Sequence, residues 1–239
     1  MTGARPTLVL VHGAWHGRWC WERLAPHLER RRIAVRTLDL PSVHATAAAE
    51  GCEAGPGLVE DAQAVRGVLD AAGGNAVLCG HSYAGMVISL AAAGRGDVAR
   101  LVYLAAFLPE SGQSLLAAGG GRPAPWVQML DGGLSLPDPS RAGEVLYGDC
   151  DPGTREWALA RVKPQRAVAF AQPVPHPAWR EIPSTYIVCS ADAALPAARQ
   201  RSIFAPRAGR VLEIGSSHSP FLSRPEALAE MLAGEAEGG

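Results

Sequence analysis

The chain contains 239 residues, of which 48% are hydrophobic and 19% are charged, and its formal net charge is −1. A chain of this length can bury about 70–75% of its unfolded surface, and this composition is too apolar for a disordered protein. The balance of 22 basic and 23 acidic residues excludes the basic surface that nucleic acid or an anionic membrane would require, and no apolar run reaches the ~18 residues of a membrane-spanning helix.

The start of the chain and its cysteines predict a cytoplasmic protein. The first residues lead directly into a strand pattern, with no apolar signal region. The five cysteines have wide and irregular spacings that fit neither a disulfide framework nor a metal site: Cys20, Cys52, Cys79, Cys150 and Cys189. We therefore expect free thiols in a reducing compartment and no bound metal.

Short apolar runs rich in β-branched residues alternate with amphipathic stretches, which predicts an α/β fold. The predicted strands are Thr7–His12, Ile33–Leu38, Ala76–Gly80, Arg100–Leu104, Thr185–Cys189 and Arg210–Ile214. The predicted helices are Trp21–Leu28, Val59–Leu69, Tyr83–Ala93, Pro196–Phe204 and a C-terminal helix opened by a capping box at Ser223–Glu226. This order indicates a mostly parallel, doubly wound sheet flanked by helices.

The alternation stops between about Phe107 and Arg180. This stretch holds ten of the 19 prolines and three of the six tryptophans. Because a structureless loop of that length is uncommon in a compact domain, we predict a small, mainly helical cap over residues 107–180. Residues 1–106 and 181–239 then form the core. The alternative is a satellite domain without a function.

A serine follows the third predicted strand in the sequence Gly80-His81-Ser82-Tyr83-Ala84-Gly85, and a helix follows at once. A nucleophilic serine on such a sharp strand-to-helix turn needs small neighbours and is usually found in a G-x-S-x-G pattern. Here Ala84 occupies the fifth position and the glycine comes one residue later. The order of strand, turn and helix favours Ser82 as a nucleophile.

A serine hydroxyl needs a base, and the base needs an acid that fixes its tautomer. In chains with this turn the order is serine, acid and histidine, with the last two in loops after strands. Asp192 lies three residues after the predicted strand that ends at Cys189, and His218 lies four residues after Ile214. The predicted triad is therefore Ser82, Asp192 and His218.

Acyl transfer also needs hydrogen-bond donors for the oxyanion of the transition state. One candidate is the backbone N–H of Tyr83, which follows the nucleophile. The other is the N–H of Ala14, because Gly13 allows a tight turn after the first strand.

Several segments together resemble the plant methylesterase and hydroxynitrile lyase branch of the α/β-hydrolases, including its bacterial esterases. They are Val11–Gly17, Leu38–Pro41, Gly80–Gly85, Ala106–Pro109 and Tyr186–Cys189, and the resemblance runs from about residue 7 to 230. It implies a helical cap, no metal or organic cofactor and, in many members, a homodimer.

Two positions separate the lyases of this branch from its esterases. In the lyases a threonine follows the first-loop histidine and a lysine follows the catalytic histidine, where they handle the cyanohydrin oxygen and the departing cyanide. This chain has Gly13 and Ser219 there, so the resemblance implies an esterase.

The sequence thus predicts a serine carboxylesterase for a compact ester, aromatic or methyl, with Phe107 and Trp126 as substrate contacts. A small-molecule ester is the expected partner. Two alternatives stay open at this stage. One is a biosynthetic tailoring enzyme that uses the triad for lactonisation, cyclisation or carbon–carbon cleavage. The other is a small-molecule receptor with residual hydrolase activity.

Overall fold

The structure is a computed structural model that describes residues 6–44 and 55–238. Cys52 and the first five residues lie outside this range. The strands, in chain order, are β1 (Thr7–Val11), β2 (Val35–Thr37), β3 (Ala76–His81), β4 (Val98–Leu104), β5 (Gln113–Ser114), β6 (Val127–Leu130), β7 (Leu134–Pro137), β8 (Gln165–Arg166), β9 (Pro173–Val174), β10 (Ser184–Cys189) and β11 (Arg210–Ile214).

Six of these strands form one parallel sheet in the order β11-β10-β4-β3-β1-β2. The central strands β3 and β10 are buried along their whole length, which explains their continuous apolar sequences, since both faces of a parallel sheet are covered. Because all six strands run the same way, their carboxyl ends meet at one edge. The loops that follow β1, β3 and β10 therefore converge.

Helices cover both faces of this sheet, as the sequence predicts. They are α1 (Ala25–Arg30), α2 (Pro41–His44), α3 (Leu58–Ala72), α4 (Ala84–Ala91), α5 (Leu115–Gly119), α6 (Pro139–Tyr147), α7 (Pro152–Leu159), α8 (Val168–Ala171), α9 (Ala197–Arg199), α10 (Pro220–Ser223) and α11 (Pro225–Glu237). Residues of α3 and α4 belong to one buried apolar cluster, and residues of α1 and α11 belong to a second. The α/β fold with two layers of helices is confirmed.

Three predicted helices differ in detail. The stretch around Trp21 is a 3₁₀ turn (Arg18–Trp21) followed by α1, because Pro26 lies in the first turn of α1 and cannot continue an earlier helix. The predicted helix at 196–204 contains a π-helical turn, Gln200–Phe204. The prediction of a capping box at Ser223–Glu226 is wrong. The helix α11 begins after Arg224 with no side-chain cap, and Ser223 is instead the last residue of α10.

The elements between β4 and β10 all lie outside the six-stranded sheet. Helical residues outnumber strand residues there, but this segment also holds a two-stranded sheet, β5-β9, and a three-stranded sheet, β6-β7-β8, which the sequence pattern did not indicate. Their strands are only two to four residues long, too short for a readable alternation. The division into core and cap at residues 107 and 180 stays a prediction. No helix in the described ranges is both long and apolar enough to cross a bilayer.

Candidate active site

Ser82 lies at the carboxyl end of β3, where the chain turns sharply into α4. Its φ of 54° is in the left-handed region, which a residue with a side chain rarely adopts. Its N–H donates to the carbonyl of Leu104 at 3.1 Å, and its own carbonyl accepts from Phe107 N–H at 3.1 Å. Neighbouring backbone thus holds the strained turn, as expected of a functional site.

The loop after β1 packs directly against this turn. A Cβ at Gly13 would lie 2.7 Å from Nδ1 of His81 and 3.0 Å from Cβ of Ser82. Only a glycine lets the two loops approach so closely, and the approach brings Ala14 beside Ser82.

His218 and Asp192 form a buried pair. Nδ1 of His218 lies 2.7 Å from Oδ2 of Asp192, and both residues are more than nine-tenths buried. Since Asp192 lies in the loop after β10 and His218 in the loop after β11, the parallel sheet brings together two residues that are 26 positions apart. With Nδ1 bonded to a carboxylate, a neutral imidazole has its free lone pair on Nε2.

The carboxylate of Asp192 is surrounded by donors. Its Oδ1 accepts from the N–H groups of Ala194 and Leu195, each at 2.8 Å, and its Oδ2 accepts from Nε2 of Gln200 at 2.8 Å as well as from His218. A carboxylate with such a set of donors is held in one orientation.

Gln200 is a residue that sequence reasoning missed. Its Oε1 accepts from the N–H of Cys189, and its Nε2 donates to the carbonyl of Leu195 in addition to Asp192. It lies in the π-helical turn, where the i→i+5 geometry often marks a functional site. A glutamine on a predicted helix gives no signal that its side chain reaches back to the preceding loop.

Six of the seven predicted site residues line one cavity of about 570 Å³. Ser82, His218, Ala14, Tyr83, Phe107 and Trp126 line it, and Asp192 lies behind His218. Most of the remaining wall is apolar, with Trp15, Phe170 and Leu195 among the larger side chains.

The N–H groups of Ala14 and Tyr83 have no hydrogen-bond acceptor among the described residues. Both residues are buried, at 7% and 1% exposed, and most backbone donors in buried residues have a protein partner. Tyr83 also lies at the N-terminus of α4, where the helix dipole favours negative charge. Two unpaired donors thus belong to residues that line the cavity beside Ser82.

Three further histidines are buried near the pair and bond to backbone. Nδ1 of His12 lies 2.9 Å from the carbonyl of Gly13, Nδ1 of His16 lies 2.7 Å from that of Ala14, and Nε2 of His81 lies 2.9 Å from that of His218. Burial lowers the pKa of His16 to about 3 and holds the pKa of His81 well below its ordinary value. His16 and His81 are therefore neutral, and all three histidines support the loops through these bonds.

No group of three or more histidine, cysteine or acidic residues in the described part of the chain is arranged to hold a metal ion. Two arginines, Arg122 and Arg199, also line the cavity, and the described residues around it include no carboxylate.

The sequence matches the alpha/beta hydrolase family over residues 8–231. This chain belongs to the alpha/beta hydrolase family. It is 31% identical to a pyrethroid hydrolase of Sphingobium wenxiniae, covering 95% of this chain and 86% of that protein. It is 28% identical to methylesterase 7 of Arabidopsis thaliana, covering 94% of each. The crystal structure of a pyrethroid hydrolase from Sphingobium faniae JZ-2 superposes with a TM-score of 0.81 at 30% identity and covers 97% of both chains.

These matches confirm the branch that the sequence motifs indicate. The plant methylesterases and the bacterial pyrethroid hydrolase are relatives along nearly the whole chain, and this protein is a hydrolase.

Proposed function

We propose that this hydrolase is a serine carboxylesterase that works through an acyl-enzyme on Ser82. The observation that carries the proposal is the convergence of Ser82 and His218 on one cavity, with Asp192 bonded to His218 at 2.7 Å. This is the set of roles that a nucleophile, a base and an orienting acid require. The names of two relatives, a pyrethroid hydrolase and a methylesterase, support the same chemistry.

In the first half-reaction the Ser82 hydroxyl attacks the ester carbonyl carbon, and its proton passes to Nε2 of His218. The charge that develops on His218 is stabilised by the carboxylate of Asp192. Collapse of the tetrahedral intermediate breaks the bond to the alcohol, which takes the proton back from His218. Water then repeats the same steps on the acyl-enzyme and releases the acid.

We assign the stabilisation of the negative charge on the carbonyl oxygen to the N–H groups of Ala14 and Tyr83. Because neither donor has a protein acceptor among the described residues, neither must break a hydrogen bond to another protein group when the oxyanion forms. A donor of this kind contributes about 3–4 kcal/mol to the stability of the transition state.

The cavity favours an ester with an apolar acyl or alcohol part. The rings of Trp15 and Trp126 pack edge to face with 5.6 Å between centroids, and Phe170 lies 5.8 Å from Trp15. With Phe107, these rings form an aromatic wall that suits a compact aromatic or alicyclic group.

The test is Ser82→Ala in an assay with p-nitrophenyl acetate, together with labelling by a fluorophosphonate. The wild type should turn over the ester and carry the label on Ser82, whereas Ser82→Ala should lose both with an unchanged circular dichroism spectrum. Ser111→Ala, at an exposed position outside the cavity, is the matched control and should behave as the wild type. Turnover retained by Ser82→Ala would overturn the proposal, as would tight reversible ligand binding by a wild type that neither labels nor hydrolyses.

A further inference from the structure

A buried acid that the proposed mechanism does not use lies behind the oxyanion donors. Asp61 is the fourth residue of α3 and is completely buried. Its Oδ1 accepts from Ser42 N–H at 2.9 Å, and its Oδ2 accepts from the hydroxyls of Ser42 at 2.6 Å and Tyr83 at 2.7 Å. None of the ion pairs between described residues includes Asp61. Three donors and the N-terminal end of α3 are what stabilise its charge.

Its partners continue into the inserted segment and reach the first loop. Oγ of Ser42 accepts from Nε2 of Gln165 at 2.9 Å, and Oε1 of Gln165 accepts from the N–H of Trp15 at 3.1 Å. The chain of hydrogen bonds therefore runs from Tyr83 through Asp61, Ser42 and Gln165 to Trp15. Every link is buried.

The two ends of this chain are next to the two unpaired N–H groups. Tyr83 carries one of them itself. At the other end, the peptide between Ala14 and Trp15 is held from both sides, since its N–H donates to Gln165 and its carbonyl lies 2.7 Å from Nδ1 of His16. That peptide fixes the direction of the preceding Ala14 N–H. Trp15 has a φ of 63°, a strained conformation that needs such support.

We propose that Asp61 is a positioning residue that holds the two oxyanion donors in register through Ser42, Gln165 and Tyr83. The inference rests on the proposed function, because it assigns Ala14 and Tyr83 to the oxyanion. Asp61 does not line the cavity, and its hydrogen bonds are to Ser42 and Tyr83. It acts through the placement of the N–H groups, and an error of a fraction of an ångström there reduces the stabilisation of the transition state.

The pKa of Asp61 is consistent with this arrangement. Burial raises it to about 6, against the opposing effect of the hydrogen bonds from Ser42 and Tyr83. At the mildly alkaline pH of a standard esterase assay the carboxylate is charged and can accept all three bonds.

Two isosteric variants test the two ends of the network. Tyr83→Phe removes only the hydroxyl that donates to Asp61 and leaves the Tyr83 backbone N–H in place, whereas Gln165→Met releases the N–H of Trp15. Each should lower kcat for p-nitrophenyl acetate by about 10- to 100-fold, less than the loss of a whole oxyanion donor, with KM changed less than threefold. Asp61→Asn should do the same, and the double variant Asp61→Asn/Tyr83→Phe should be no slower than Asp61→Asn alone, because the two side chains act as one unit.

An oxyanion probe separates positioning from a merely structural role. An aryl trifluoromethyl ketone forms a hemiketal oxyanion with an active serine, so its inhibition constant should rise in proportion to the fall in kcat/KM across the variants. The inhibition constant of the corresponding product acid, which forms no oxyanion, should stay within threefold of the wild type.

Tyr103→Phe is the matched control. Tyr103 is also fully buried, and its hydroxyl bonds to Ser89 at 2.8 Å outside this network. The Tyr103→Phe variant should lose about as much stability as Tyr83→Phe and keep the wild-type kcat. Wild-type kcat in both Tyr83→Phe and Gln165→Met would overturn the inference while leaving the proposed function intact. Equal turnover by the wild type and Ser82→Ala would instead overturn the proposed function.

Discussion

Gly85 lies against the backbone carbonyl of Phe107, so closely that a Cβ at position 85 would overlap the carbonyl oxygen. This contact explains the unusual sequence of the turn around Ser82, in which the glycine comes one residue later than in the usual pattern. The glycine is required where α4 passes the segment that follows β4. Ala84 is fully buried without needing that space, which is why an alanine is tolerated at the position where the usual pattern has glycine.

Gly85→Ala should therefore be far more disruptive than its size suggests. The added methyl group must displace backbone that also bonds to Ser82 through the Phe107 N–H, so we expect a loss of about 2 kcal/mol or more in the free energy of unfolding and a large fall in esterase activity. Urea unfolding and ester turnover measure both effects.

Ala84→Gly is the control for this substitution, since it restores the usual G-x-S-x-G pattern. It should cost only about 1 kcal/mol, the difference in helix propensity, and retain turnover. A stable, fully active Gly85→Ala would mean that the Phe107 segment shifts freely.

Asp192→Asn should abolish most of the activity while preserving the fold. Donors approach both oxygens of Asp192, the N–H groups of Ala194 and Leu195 on one side and the side chains of Gln200 and His218 on the other. Whichever way an amide is turned at position 192, its NH₂ group faces a donor. The imidazole then loses the acceptor that fixes its tautomer, and kcat should fall by about 10³–10⁴ with little change in KM.

Asp149→Asn is the comparison for this variant, because Asp149 also accepts a side-chain hydrogen bond, from Ser217 in the loop that carries His218. It should retain kcat within a few-fold. Equal losses in the two variants would show that kcat responds to any change in this loop and not to the tautomer of His218.

The sequence predicts the parts of this molecule that follow from local pattern. The strands β3 and β10 are predicted to within one residue, because buried parallel strands are continuous apolar runs with clear ends. The strand β11 is predicted with its observed bounds although it is a mostly exposed edge strand. Asp192 and His218 could be chosen because strand ends in a parallel sheet share one edge.

The residues that the sequence does not reveal act through contacts between distant segments. Asp61 resembles an ordinary acid in the first turn of a helix, as Glu60 beside it is, and only the fold shows that Ser42 and Tyr83 cover it. Gln165 bonds to Ser42 across 123 positions and to Trp15 across 150. No spacing rule in one sequence encodes such pairs.

Lowering the pH below about 6.5 should destabilise the protein through His16. Its folded pKa of about 3 lies below its ordinary value of 6.5 because of burial, so the unfolded chain binds the proton more readily between these values. The contribution of neutral His16 to the free energy of unfolding is therefore fully present above pH 6.5 and is lost as the pH falls toward 3. The loss is a few kcal/mol at most, at ~1.4 kcal/mol for each unit of pKa difference. Asp61, with its pKa raised to about 6 from 3.8, acts in the opposite direction between those two values.

Urea unfolding of His16→Gln across this pH range measures how much of the acid destabilisation is due to His16. The variant should be less stable than the wild type at neutral pH, because Tyr147 loses its partner at Nε2, but its stability should fall less steeply below pH 6.5. His176→Gln, in an exposed loop, should show the wild-type slope. A wild-type slope in His16→Gln would assign the acid sensitivity to other groups.

The arginines of the cavity predict a preference for an ester that also carries an anionic group. Arg199 is half-buried, with Nη2 donating to the carbonyl of Ala118 at 2.6 Å, and Arg122 is exposed at the same cavity. With no carboxylate among the described lining residues, a substrate carboxylate would meet two positive charges and no negative one. Monomethyl adipate should therefore have a higher kcat/KM than dimethyl adipate, despite the lower hydrophobicity of the free acid. Arg199→Gln should reduce the ratio of the two kcat/KM values about fivefold, the effect of ~1 kcal/mol between partly exposed charges, and high salt should reduce it as well.

Arg141→Gln, at an exposed arginine outside the cavity, should leave the ratio unchanged. If the ratio of the two kcat/KM values is the same in the wild type, Arg199→Gln and Arg141→Gln, Arg199 does not interact with the substrate carboxylate.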